Sequence, residues 1–97
     1  MTDEERRQHA ARLQAAAEPL LAANELFEAD AAGPVREGRQ TYLVRLAVRV
    51  AEGPGWVRVT GEVPPEPVEE AEPGLVAASI LPQLREAAVQ EMVRRFG

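Results

Sequence analysis

The sequence has no cysteine, no lysine, one histidine (His9) and one serine (Ser79). Each absence removes a class of chemistry. Without Cys there is no disulfide framework, thiolate zinc site, iron–sulfur cluster or cysteine nucleophile. Without Lys there is no Schiff-base chemistry and no Walker-type phosphate loop. One His is too few for a multi-His metal site, and Ser79 is the only serine for any Ser–His arrangement. Long apolar runs are missing too, since none approaches the ~18 residues that span a bilayer. The opening Met1–Arg7 is charged and has no apolar stretch of the signal-peptide kind. These absences lead to the expectation of a cytoplasmic protein with no membrane partner, no cofactor, no metal and no catalytic residue.

What is present is 97 residues, with 11 Arg against 16 Asp and Glu and a net charge of −5. That length suits a single domain, residues 1–97. The hydrophobic fraction is 45%, but 17 of those residues are Ala, so large side chains are scarce. A chain this short buries roughly 60–68% of its unfolded surface, and a second subunit would cover what remains apolar. A homodimer is therefore expected. Arg in place of Lys, with few Asn and Gln, suits a GC-rich genome; it is a weak sign of a thermophile, whose general signal is Lys and Glu enrichment and not Arg alone.

Thr2-Asp3-Glu4-Glu5 has the form of a capping box. The strong helix formers that follow predict a helix over about 3–24, kinked or restarted at Pro19. Thr41–Ala51 alternates as a strand, with Tyr42, Val44, Leu46, Val48 and Val50 on one side. A turn at Glu52–Gly55 leads to a second strand at 56–63. Centring that turn between Gly53 and Pro54 sets Val50 against Val57, Val48 against Val59 and Val44 against Val63, with every apolar residue on one face. A turn at Glu37-Gly38 passes the same test for a strand at about 26–35, with Phe27 facing Val48, Ala29 facing Leu46 and Ala31 facing Val44. A helix running on to Ala31 is the competing reading, because Glu-Ala-Asp-Ala-Ala is poor strand composition.

Pro64–Gly74 holds four Pro and four Glu and reads as an extended, solvated connection. After it, Ile80, Leu84, Ala88, Met92 and Phe96 recur at i+4 and predict a helix over about 75–96. Pro82 would kink that helix or mark its first turn, with Ser79 as N-cap. The fold class is thus α+β: a two-layer helix, three-stranded antiparallel meander, helix arrangement with both helices on one sheet face. Several double-stranded-RNA-binding modules and nucleoid-associated dimers have this element order. That is an analogy of topology alone, and the acidic PPEPVEEAEPG stands where a cationic loop would be needed.

The candidate interaction surface is the other sheet face, with Arg45, Arg49, Trp56 and Arg58. Guanidinium planes beside an indole can bind phosphates and stack on bases. The expected register opposes this, placing Arg45 between Asp30 and Glu62 and Glu28 diagonal to a facing Arg49–Arg58 pair. Cross-strand charge pairs of this kind finish a solvated face and remove the positive field that nucleic-acid affinity requires. Trp and Arg are equally the residues enriched at protein interfaces. Glu66, Glu69, Glu70 and Glu72 lack the Asp/Asn/Gly spacing of a calcium loop. His9, among Arg6, Arg7 and Arg12, has no partner that would make it a general base. The expectation is a non-enzymatic protein–protein interaction or accessory domain acting as a homodimer with an unidentified protein partner. The alternative is a nucleic-acid-associated dimer using Arg49, Arg58 and Trp56. A small enzyme would need carboxylates converging in a cleft at a subunit interface.

Overall fold

The computed structural model describes residues 2–51 and 55–96. Helix α1 runs Asp3–Ala17, and the Thr2 hydroxyl accepts the Glu5 amide at 3.2 Å. Its acidic first turn complements the helix dipole. Ala10, Leu13 and Ala17 form its buried stripe. The predicted helix to residue 24 stops earlier: Pro19 lies in a single 3-10 turn, Glu18–Leu20, after which Leu21 is extended.

Strands β1 (Glu25–Asp30), β4 (Tyr42–Arg49) and β5 (Trp56–Val63) form one antiparallel sheet in the order β1-β4-β5. The meander is as expected, and α1 and α3 (Pro73–Phe96) cover the same face and pack on each other. Tyr42, Val44 and Leu46 of β4 are fully buried between the layers. The architecture is therefore two-layer α+β, with the opposite sheet face uncovered.

Both strand registers differ from the expected ones by two residues. Val48 pairs with Val57 and Tyr42 with Val63 on one side of β4, and Phe27 pairs with Leu46 on the other. A two-residue slip keeps every side chain on its face, which is why periodicity alone does not detect it. The predicted strand over 26–35 divides into β1 and the short β2 (Val35–Arg36), which pairs with β3 (Arg39–Gln40) in a separate ribbon. Glu37 and Gly38 both have positive φ (53° and 78°), as a tight two-residue hairpin turn requires. That ribbon keeps the expected register, Val35 against Gln40. The slip arises between it and β1, where the four residues Ala31–Pro34 lie opposite only Thr41 and Tyr42. Gly33 makes this possible, because a Cβ there would lie 2.1 Å from the Thr41 carbonyl oxygen. The Thr41 amide and hydroxyl both donate to the Pro34 carbonyl, at 2.9 and 3.0 Å. The tip of the β4–β5 turn expected at Glu52–Gly55 lies largely outside the described residues.

The connection after β5 is not extended. Pro65–Glu70 forms a short helix, α2, with Pro65 and Val68 buried. Pro65 sits in the first turn, where its missing amide proton is not needed. Helix α3 then starts at Pro73, ahead of the expected position, and Ser79 lies inside it. Pro82 is also inside α3 but on the exposed side, where the Ala78 carbonyl that loses its helical donor can take water.

Candidate functional site

On the uncovered sheet face, the register sets four rows side by side: Asp30, Leu43 and Glu62; Glu28, Arg45 and Thr60; Leu26, Ala47 and Arg58; and Arg49 with Trp56. Leu26 is 59% exposed and Trp56 36%, whereas Ala47, beside Leu26 in its row, is 9% exposed. A depression of about 420 Å³ is lined by Leu26, Glu28, Arg45, Ala47, Trp56 and Arg58, among others. Three of the four residues singled out from sequence thus meet at one hollow: Arg45, Trp56 and Arg58. Arg49 lies one row away, directly across from Trp56.

The charges pair differently from expectation. Arg45 donates to Glu28 at 3.2 Å and lies 4.0 Å from Asp30. Glu62 turns instead to Arg36 of the β2–β3 ribbon, at 2.9 Å. The hydrogen bonds from Arg36 hold the Glu62 carboxyl below its ordinary pKa. The two-residue slip is the cause, since it moves Glu62 out of Arg45's row. It also separates Arg49 and Arg58, now diagonal rather than opposite, and neither has an ion-pair partner among the described residues.

Two polar clusters join segments far apart in sequence. At one end of the sheet, the Tyr42 hydroxyl donates to Glu69 of α2 at 3.0 Å. The Arg6 guanidinium stands 4.8 Å over the Tyr42 ring, and its Nη2 donates to the Gln40 carbonyl at 3.0 Å. Burial, reinforced by the Glu69 carboxylate, pushes the Tyr42 hydroxyl up to about 12. At the other end, Arg85 of α3 donates from Nε and Nη2 to the two oxygens of Glu25, at 3.0 and 2.9 Å. Its Nη2 also reaches the Leu20 carbonyl at 2.6 Å. This bidentate hydrogen bonding lowers the Glu25 pKa, against an opposing effect of burial. Sequence reasoning passes over both clusters. The only sign of the first is a hydroxyl-bearing aromatic on the apolar side of a strand, which needs a buried partner.

No group of three or more His, Asp or Glu suited to a metal ion occurs among the described residues. Of the four Glu in 64–74, Glu66 pairs with Arg39 and Glu69 with Tyr42 and Arg6. Among the described residues no helix is long and apolar enough to cross a membrane. Comparison with protein-family models, curated proteins and solved structures finds no match to this chain.

Proposed function

We propose that this is a non-enzymatic interaction domain that works as a homodimer and binds a partner protein on its uncovered sheet face. The carrying observation is the Leu26–Ala47–Trp56 hollow, whose apolar floor is rimmed by Arg45, paired to Glu28, and by Arg58. An indole beside apolar surface, within a charged rim that is neutralised at Arg45, is the composition of a protein interface centre. The carboxyls with a resolved shift, Glu25, Glu62 and Glu91, are all lowered by an arginine. A proton donor would need its pKa raised toward neutrality, so these groups suit salt links. Tyr42, with its hydroxyl near 12, stays protonated.

The test is affinity recovery from the native host with the unaltered chain and with Trp56→Ala. One discrete protein recovered by the first and lost by the second supports the reading. Equal recovery by both, or none by either, overturns it. The Arg49–Arg58 diagonal flanking Trp56 favours the second reading, binding of nucleic acid. That reading predicts retention on a nucleic-acid column at low salt, falling steeply as salt rises, and lost on Arg49→Ala or Arg58→Ala.

A further inference from the structure

Helix α3 carries two apolar stripes. One holds Ala77, Leu81, Leu84 and Ala88, all buried against the sheet and α1. The other holds Leu75, Ala78, Pro82, Val89, Val93 and Phe96, every one of them exposed. Leu75 is 69% exposed, Val89 50%, Val93 59% and Phe96 56%. At 100° per residue these six fall within a narrow band on the solvent side of the helix. Past Ala88 no described side chain of α3 is fully buried, with only Glu91 and Met92 partly covered, so the last two turns present this stripe with little support from the body of the fold.

The stripe is symmetric about a point between Arg85 and Glu86. An antiparallel copy turned about that point sets Phe96 against Leu75, Val93 against Ala78, and Val89 against Pro82. Two of these pairings oppose a larger side chain to a smaller one, Phe96 to Leu75 and Val93 to Ala78, so the surfaces interdigitate. The only charged residues at the midpoint are Arg85, already neutralised by Glu25, and Glu86, whose carboxylate accepts from Gln90 at 3.2 Å. The two-fold therefore needs no unpaired arginine buried at its centre. The six side chains leave on the order of 500 Å² open, at the upper end of what a monomer normally shows. With rim residues Ser79, Gln83 and Gln90 this approaches the ~800 Å² per partner of a standard interface.

We infer that the outer stripe of α3 is the surface on which two copies of this chain pair, antiparallel, with their helix layers back to back. The inference rests on the homodimer reading above and adds its location. Isologous pairing of one self-complementary patch closes at two copies. It leaves both uncovered sheet faces pointing outward, where each stays available to a partner.

Sedimentation equilibrium from low to several hundred micromolar, on four chains, tests this. The unaltered chain and Leu26→Asp, altered on the sheet face, are expected to weigh two copies. Val93→Asp and Phe96→Asp are expected to weigh one, with dissociation constants raised more than tenfold and unchanged helical circular dichroism. Phe96 is the last described residue of the helix, so its variant guards against a folding defect. A single-copy mass for the unaltered chain at every concentration overturns the homodimer reading itself. A two-copy mass that survives both α3 variants, or is lost in Leu26→Asp, overturns only the assignment to α3.

Discussion

Two outward surfaces of this molecule are open, and they are finished in different ways. On the sheet, each strand contributes charge next to its apolar residue: Glu28 to Arg45 across the β1–β4 pair, with Asp30 nearby. On α3, the outer stripe holds three large apolar side chains in its last two turns, and the ion pairs there among the described residues, Glu91 with Arg94 and Arg95, lie off the stripe. Cross-strand ion pairs let a face remain in water when unoccupied. A helix stripe without them gains by being covered. On the proposed reading, the sheet meets a partner that comes and goes and the helix makes the permanent contact between copies.

The largest effect separates the two sides of α3. Leu84, buried on the core side and within reach of Gly61, is expected to cost about 3 kcal/mol on Leu84→Ala. Val93→Ala, on the open side, should change single-chain stability by less than about 0.5 kcal/mol. Chemical denaturation at dilute concentration measures both, and similar losses would mean that the stripe belongs to the core. Next is Arg85, which straddles the boundary between core and stripe. Arg85→Ala removes a bidentate partner from Glu25, whose side chain is only 8% exposed, and is expected to cost about 1–2 kcal/mol.

The sign of the pH dependence at Glu25 follows from its lowered pKa. Its stabilisation is present above the ordinary carboxylate pKa and is lost as pH falls through the folded value. Acid melts of Arg85→Ala should lack that step. Tyr42 acts at the other extreme. With its hydroxyl raised to about 12, its contribution holds below the ordinary tyrosine value near 10 and fades as pH rises through 12. It is the only tyrosine, so phenolate absorbance reads it directly, and a midpoint near 10 would contradict the burial described. Tyr42→Phe should cost about 1 kcal/mol, one hydrogen bond to Glu69. The smallest effect belongs to the sheet face. Arg45→Ala should cost about 0.5 kcal/mol or less, as exposed pairs do, and a larger loss would make that face structural rather than a binding surface.

Face assignments were legible in the sequence, because alternation at Tyr42–Val50 and Val57–Val63 depends only on parity. The register was not legible, since a two-residue slip preserves parity. Its cause, Gly33 against the Thr41 backbone, is a tertiary approach that no local pattern records. Pro64–Gly74 read as solvated from its Pro and Glu content, yet Val68 has a core to enter and Glu69 a buried hydroxyl to meet. The i+4 reading of Ile80 through Phe96 merged parts of two stripes into one. It places Met92 and Phe96 with the core, whereas Met92 is only half-buried and Phe96 is exposed. The residues of the sheet hollow were found because Trp56 and the arginines alternate with core positions. Leu26 escapes the sequence because Glu-Ala-Asp-Ala-Ala, which follows it, is poor strand composition.

Hydrogen–deuterium exchange measured at low and at high protein concentration reads the pairing of α3 residue by residue. Backbone amides in the last two turns of an unsupported helix exchange fast, and pairing slows them. Pairing through α3 gives protection that rises with concentration over residues 89–96 and stays constant across β1, β4 and β5. Protection over 89–96 that is independent of concentration, or that rises over the sheet instead, would contradict it.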